Sequence, residues 1–247
     1  MSACSLDAVS VSFAEGRGLH DVRLEIPRGQ VVALIGASGS GKTTLLRVLA
    51  GLQEPTRGEV EVLGDDPMAS SGAARRRLRR DVGLMMQRDN LVEGLRVFHN
   101  VIMGRLGHWS TVRSLLARVW PRRAEIALAH DALQRVELGS RLWDWPTQLS
   151  GGEQQRVALA RLVVQAPKLW LADEPAAGLD PRLRRELLTM LIALVREHDA
   201  TLVVTLHDVE LLDEHFDRIV GLRAGQVTFD SSPAEVDDAR LAEIYAA

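Results

Sequence analysis

Residues 36–43 read Gly36-Ala37-Ser38-Gly39-Ser40-Gly41-Lys42-Thr43 and fit G-x-x-x-x-G-K-[ST] at every fixed position. The glycines let the backbone curl so that successive N–H groups face one anion. Lys42 supplies a mobile positive charge for outer phosphates, and the Thr43 hydroxyl is a ligand for Mg²⁺. Further along, Leu169-Trp170-Leu171-Ala172 runs straight into Asp173-Glu174. Asp173 is placed there to hold Mg²⁺ through its water shell, and Glu174 to polarise an attacking water. A helix N-terminus also favours paired acids, but the apolar run in front and Pro175 behind argue for a strand end. Ser150-Gly151-Gly152-Glu153 reads as another anion-facing helix start, which by itself an ordinary N-cap explains. His207 follows an apolar run, where a lone histidine is usually incidental. The cradle implies that the chain binds a nucleoside triphosphate.

The elements that must position these residues are legible around them. Val31-Val32-Ala33-Leu34-Ile35, before the cradle, has the texture of a strand buried on both faces. Thr44 to Ala50 is helix-compatible, with Gly51 as its C-cap, so the positive end of a helix faces the same anion. Leu6 to Phe13 and Val22 to Ile26 alternate apolar and polar residues and predict two antiparallel strands. Short strands are expected over Glu59 to Leu63 and Val82 to Met86, the latter ending at Gln87. Ala73 to Arg80 carries five arginines, read as a solvated helix face rather than a nucleic-acid contact. From Asn90 to about Ala166 the texture is mostly helical. Within it, Trp109, Val112, Leu115, Leu116, Val119 and Trp120 interleave with Arg113 and Arg118. A membrane-surface helix fits that pattern; packing within a helical lobe or against a partner helix is the preferred reading. The last third returns to strands at Lys168 to Ala172 and Thr201 to Leu206, with helices over Pro181 to Arg196 and Val209 to His215. Arg218 to Leu222 and Gln226 to Asp230 flank Ala224-Gly225 as a hairpin.

Size and composition narrow the class. The 247 residues suit one large α/β domain or a domain with an inserted subdomain. A net charge of −3 gives no general pull toward nucleic acid or anionic lipid. Lys42 and Lys168 are the only lysines in a chain whose basic charge is otherwise arginine. The single cysteine, Cys4, excludes an internal disulfide and a multi-cysteine metal site. No apolar run approaches the ~18 residues of a membrane-spanning helix, and residues 1–13 lack the pattern of a signal peptide. A cytosolic chain is expected, with any membrane link made through a partner.

Ser150-Gly151-Gly152 lies about 23 residues before the carboxylate pair, and that combination resembles the ATP-binding cassette family, the nucleotide-binding subunits of ABC transporters, over about Leu6 to Val236. The resemblance implies a P-loop NTPase (RecA-like) core with an antiparallel β subdomain and an inserted α-helical signature subdomain. It implies a core of about residues 1–87 and 167–232, a helical insert of about 88–166 and a short tail, 233–247. It further implies ATP and Mg²⁺ as ligands. The nucleotide set is then Gly36, Ser38, Gly39, Ser40, Gly41, Lys42, Thr43 and Thr44, with Phe13 stacking on adenine where tyrosine is commoner. Thr43, Gln87 and Asp173 fall to the metal. Glu174, His207, Gln87 and Lys42 fall to catalysis, Gln87 and His207 by sensing the γ-phosphate. Ser150, Gly151 and Gly152 of the signature (LSGGE where LSGGQ is usual) and Asp180 of the crossing loop would serve a second copy. The partner is paired head to tail, so that each ATP lies between two subunits. Gly178 stands in that loop where serine is common.

The stretch Gln87-Arg88-Asp89-Asn90-Leu91-Val92, then Val97 to Val101, Gly104-Arg105-Leu106-Gly107, Trp109, Ser114-Leu115-Leu116 and Leu222 to Val227 resemble importers of phosphonates and related phosphorus oxyanions. That implies transmembrane permease subunits as partners and, indirectly, an extracytoplasmic solute-binding protein. It places the chain on the cytoplasmic face of the inner or plasma membrane. The alternatives are an importer ATPase for another small solute, a soluble ABC ATPase in DNA repair or ribosome work, an exporter half, and a nucleotide kinase. The length leaves no room for a coiled-coil insertion, a second cassette or fused membrane helices. The signature and switch-histidine positions argue against the kinase.

Overall fold

The computed structural model of the chain describes residues 2–13, 18–68, 72–87, 90–207, 209–212 and 215–245. Arg88 and Asp89, part of the importer-like stretch, lie outside the described residues, as do the side chains of Arg118 and Val119.

Two sheets divide the strands. β1 (Ser2–Ser12), β2 (Gly18–Pro27) and β4 (Arg57–Val62) form an antiparallel sheet in the order β2-β1-β4. The alternating residues noted above set its register, with Leu6 opposite Leu24 and Val60. The second sheet holds β3 (Val31–Ile35), β5 (Val82–Met85), β6 (Leu169–Asp173), β7 (Thr201–Leu206), β8 (Arg218–Arg223) and β9 (Gln226–Ser231). Its order is β5-β6-β7-β3-β8-β9, parallel except for the β8–β9 hairpin. Every residue of β3, β6 and β7 is buried, as strands covered on both faces require.

Those faces hold two cores. Val31, Ala33 and Ile35 turn toward one core, shared with the helical region and with α6 (Gly151–Gln165) and α7 (Pro181–Glu197). Val32 and Leu34 turn toward the other, shared with the antiparallel sheet and α1 (Lys42–Leu49). The period of two in β3 thus binds the two sheets and the helices to a single strand.

The five arginines sit on α2 (Gly72–Asp81), which buries Ala74 and Leu78 and leaves Arg75, Arg76, Arg77 and Arg79 exposed. The regular elements within residues 90–166 are helical, among them α3 (Val97–Ile102), α4 (Thr111–Val119), α5 (Arg123–Arg135) and α6. Packing within the lobe does not hold for most of the apolar residues around α4. Val112, Leu115, Leu116 and Trp120 are exposed, Trp120 at 78%. α4 has nine residues and is seated through Ala117, while the adjacent Trp109 packs on the core. One side of so short a helix is used, and the other faces outward. The helix expected over Val209 to His215 is a single 3-10 turn, Val209–Leu211, among the described residues. Near the C-terminus, α8 (Asp238–Tyr245) buries Ile244 completely.

Candidate nucleotide site

Strand order brings the chemistry together. β5, β6, β7 and β3 lie side by side and parallel, so their C-terminal ends share one edge of the sheet. Gln87 comes two residues after β5, Asp173 ends β6 with Glu174 next, His207 follows β7, and the cradle follows β3. Ligands of open α/β sheets bind outside that edge. A cleft of 370 Å³ opens there, lined by Phe13, residues 38–44, Gln87, Glu174 and His207, among others.

The cradle's shape depends on its glycines. A Cβ on Gly36 would lie 2.2 Å from the Leu222 carbonyl oxygen. Gly41, at φ 107°, is the left-handed N-cap of α1. Lys42 Nζ donates to the carbonyls of Gly36 (2.7 Å) and Ala37 (3.0 Å), which ties its ammonium to the loop. Burial pulls the Lys42 ammonium below the usual lysine value, and the nearby charges of Glu174 and Asp173 oppose that. The Ser40 hydroxyl is buried with no hydrogen-bond partner among the described residues. A buried polar atom left over at the entrance of an anion cradle suits an incoming phosphate oxygen.

Glu174 is the hub of the cleft. Its carboxylate accepts from Gln87 Nε2 at 2.9 Å, and His207 Nε2 lies 2.5 Å from its other oxygen. Residues 87, 174 and 207, far apart in the chain, therefore meet on one carboxylate. Asp173 is buried at 4% exposure beneath them. Mg²⁺ is commonly held by a hydroxyl, one or two carboxylates and substrate phosphates rather than by an all-protein cage. The Thr43 hydroxyl at the cleft and the buried Asp173 are such a set. Among the described residues no larger cluster of His, Cys, Asp and Glu gathers for a metal.

The signature residues and Asp180 do not line that cleft. Ser150 caps α6: its hydroxyl donates to Glu153 Oε2 (2.9 Å) and accepts from the Glu153 N–H, while its own N–H donates to the same carboxylate (2.8 Å). These bonds hold the Glu153 carboxyl below the usual glutamate value. Gly151 opens instead on a second hollow with Gln87, Ala177, Gly178 and Leu179. Asp180 caps α7 by accepting from the N–H groups of Arg182 and Leu183 (3.1 and 3.0 Å). Gly178 adopts φ 79°, a conformation that serine would resist.

Four residues given no site role from the sequence contribute here: Asn90, Gln155, Thr205 and Tyr245. Asn90 Nδ2 donates to Gln155 Oε1 on α6, Gln155 Nε2 donates to the Gln87 carbonyl, and the Asn90 oxygen takes the Met86 N–H. The end of β5 is thereby tied to the signature helix. Thr205, the penultimate residue of β7, bonds both to Asp173 and to the Glu174 backbone; a polar residue inside an apolar buried strand was its signal. Tyr245 on α8 donates to the His207 carbonyl at 3.1 Å, and nothing in the local sequence announces it.

Fold and site together define a P-loop nucleotide-binding protein. The family model described as ABC transporter matches residues 19–177. The chain is 47% identical over 243 residues to the phosphonates import ATP-binding protein PhnC 1 of Pseudomonas aeruginosa, covering 98% of this chain and 90% of that protein. It is 43% identical to PhnC 3 of Halalkalibacterium halodurans, over 96% of this chain and 92% of the relative. The ATP-binding cassette MJ0796, solved as a dimer in a post-hydrolysis state with ADP and Pi, superposes with a TM-score of 0.76 at 30% identity, covering 93% of this chain and 98% of that one. This chain belongs to the ABC transporter family. Among the described residues no helix is long and apolar enough to cross a membrane.

Proposed function

We propose that this chain is the ATP-hydrolysing subunit of an importer of phosphonates or a related phosphorus oxyanion. The observation that carries the reading is the meeting of Gln87 and His207 on the Glu174 carboxylate at the mouth of a lysine-bearing phosphate cradle. The oxyanion follows from the relatives, which are named for phosphonate import and align with nearly the whole chain.

ATP binds with its phosphates against the N–H groups of residues 38–44 and the Lys42 ammonium, and its adenine on Phe13. Thr43, Asp173 and Gln87 would hold Mg²⁺, which would supply charge neutralisation on the phosphates. Glu174 accepts a hydrogen bond from the attacking water and aligns it. Gln87 and His207 hold that carboxylate and contact the γ-phosphate. Phosphoryl transfer to water asks for positioning and charge stabilisation, which these groups supply without a covalent intermediate.

Ser150, Gly151, Gly152 and Asp180 belong to the other half of the reaction. In this reading a second copy, packed head to tail, presents them to the ATP in this chain's cleft, and hydrolysis waits for that closure. The helical region, residues 88–166, is an insert between core segments 1–87 and 167–232, with 233–247 as a tail. Permease subunits dock on it and hold the chain at the cytoplasmic face of the membrane, and an extracytoplasmic binding protein delivers the solute. The outward apolar residues beside α4 suit a partner helix.

The test is ATPase activity of the complex reconstituted with its permease and binding protein. Phosphonates or phosphate are expected to stimulate turnover at micromolar levels. Stimulation only by a solute lacking phosphorus would overturn the substrate, and copurified rRNA or DNA in place of membrane subunits would overturn transport.

A further inference from the structure

Thr205 sits on β7 directly opposite Asp173 of β6 in the parallel register, and it is completely buried. A hydroxyl there is tolerated only if its hydrogen-bonding capacity is used. Thr205 Oγ1 donates to Asp173 Oδ1 at 2.8 Å and accepts the Glu174 N–H at 2.8 Å. The hydroxyl gives its one hydrogen to the Asp173 carboxylate, an acceptor, and takes the Glu174 amide on a lone pair. One oxygen of Asp173 is thereby held, and the carboxylate is turned about that point.

The second bond falls on a strained position. Glu174 has φ 46°, in the left-handed region that residues other than glycine avoid. Such a backbone persists when its surroundings hold it. Here the pinned group is the amide of the very residue whose carboxylate meets Gln87 and His207.

We propose that Thr205 is a positioning residue for both carboxylates, orienting Asp173 through its hydroxyl hydrogen and locking Glu174 in place through the backbone amide. The inference rests on the roles proposed above for Asp173 and Glu174.

Thr205→Val keeps the shape and removes both bonds; Thr205→Ser keeps the hydroxyl. With full-length protein, Thr205→Val is expected to lower kcat about tenfold or more, the loss of charge-assisted hydrogen bonding. It should also raise the Mg²⁺ concentration for half-maximal activity about fivefold. Nucleotide affinity without Mg²⁺, which reports the cradle, should stay within about twofold. In ligand-free protein the Glu174 amide should exchange with deuterium about tenfold faster. Thr205→Ser should restore all of these to near wild type. Unchanged exchange and Mg²⁺ dependence in Thr205→Val would overturn the inference, as would a Thr205→Ser as impaired as the valine variant. If the valine variant does not fold, Thr205→Cys, with its weak donor, serves the same comparison. Glu174→Gln in parallel separates the two failures. Wild-type turnover in Glu174→Gln sinks the role of Glu174, whereas a dead Glu174→Gln beside an unaffected Thr205→Val sinks this inference alone.

Discussion

The cleft at the sheet edge and the signature end of α6 use polar side chains in opposite ways. In the cleft, Gln87, Glu174 and His207 come from three separate segments, and the first and last both contact the Glu174 carboxylate. At the signature, Ser150 and Glu153 are three residues apart and satisfy each other within one helical turn. Asp180 does the same at the start of α7. The first region is a set of long-range contacts that only the whole fold assembles. The second consists of helix starts capped within a few residues, with Gly151 exposed at the first of them. That division is what two half-sites would need: one finished within the chain, the other built to be offered to a neighbour.

The largest effect is expected at the cradle. Lys42→Ala should abolish measurable ATP binding, with a loss of about a hundredfold or more in affinity for a fluorescent analogue. Glu174→Gln should leave that affinity within a few-fold and lower kcat by about a hundredfold or more. With ATP present it should also accumulate a dimer, visible by size-exclusion chromatography with light scattering. A variant that binds normally but stays monomeric would separate the cleft from the second copy. Ser150→Ala should act on the other region: Tm falls by a few degrees, the loss of a cap of about 1 kcal/mol, and ATP binding to the isolated chain is untouched. Turnover should nevertheless drop about tenfold, as the shared site proposed above requires of this hydroxyl.

The smallest effect is a pH effect. The Glu153 carboxyl is held low, first by the Ser150 N–H and then by the Ser150 hydroxyl. A depressed carboxylate contributes stability that is fully present above its unfolded value, about 4.3, and is lost as pH falls through the lower folded value. Glu153→Gln should remove that part of the acid limb, so Tm curves of the two proteins converge toward low pH and separate above about pH 5. Curves that stay parallel throughout would show that the cap does not depend on charge.

Much of this was legible along the chain. Gly36 to Thr43 carries its own geometry in residue types and spacing. Buried strands appear as apolar runs, and β1 and β2 as alternation. Where reading failed, the deciding contacts were distant. The residues around α4 have a helical spacing of apolar side chains, but spacing does not say whether a neighbour covers them, and Val112 and Leu115 are left exposed. Tyr245 reaches His207 across 38 residues, from the short tail. Asn90 and Gln155 join the end of β5 to α6 although each, alone, is an ordinary polar residue.

By itself the sequence determined the parts: a phosphate loop, a strand ending in two acids, helix caps and a family resemblance. Each is a local pattern whose backbone and side-chain demands are met within a few residues. The tertiary structure decided how they meet. Which strands are neighbours depends on packing between distant segments, and the order β5-β6-β7-β3 sets Gln87, Glu174 and His207 at one edge. The same pairing put the Thr205 hydroxyl against Asp173, a contact written in no single stretch of the chain.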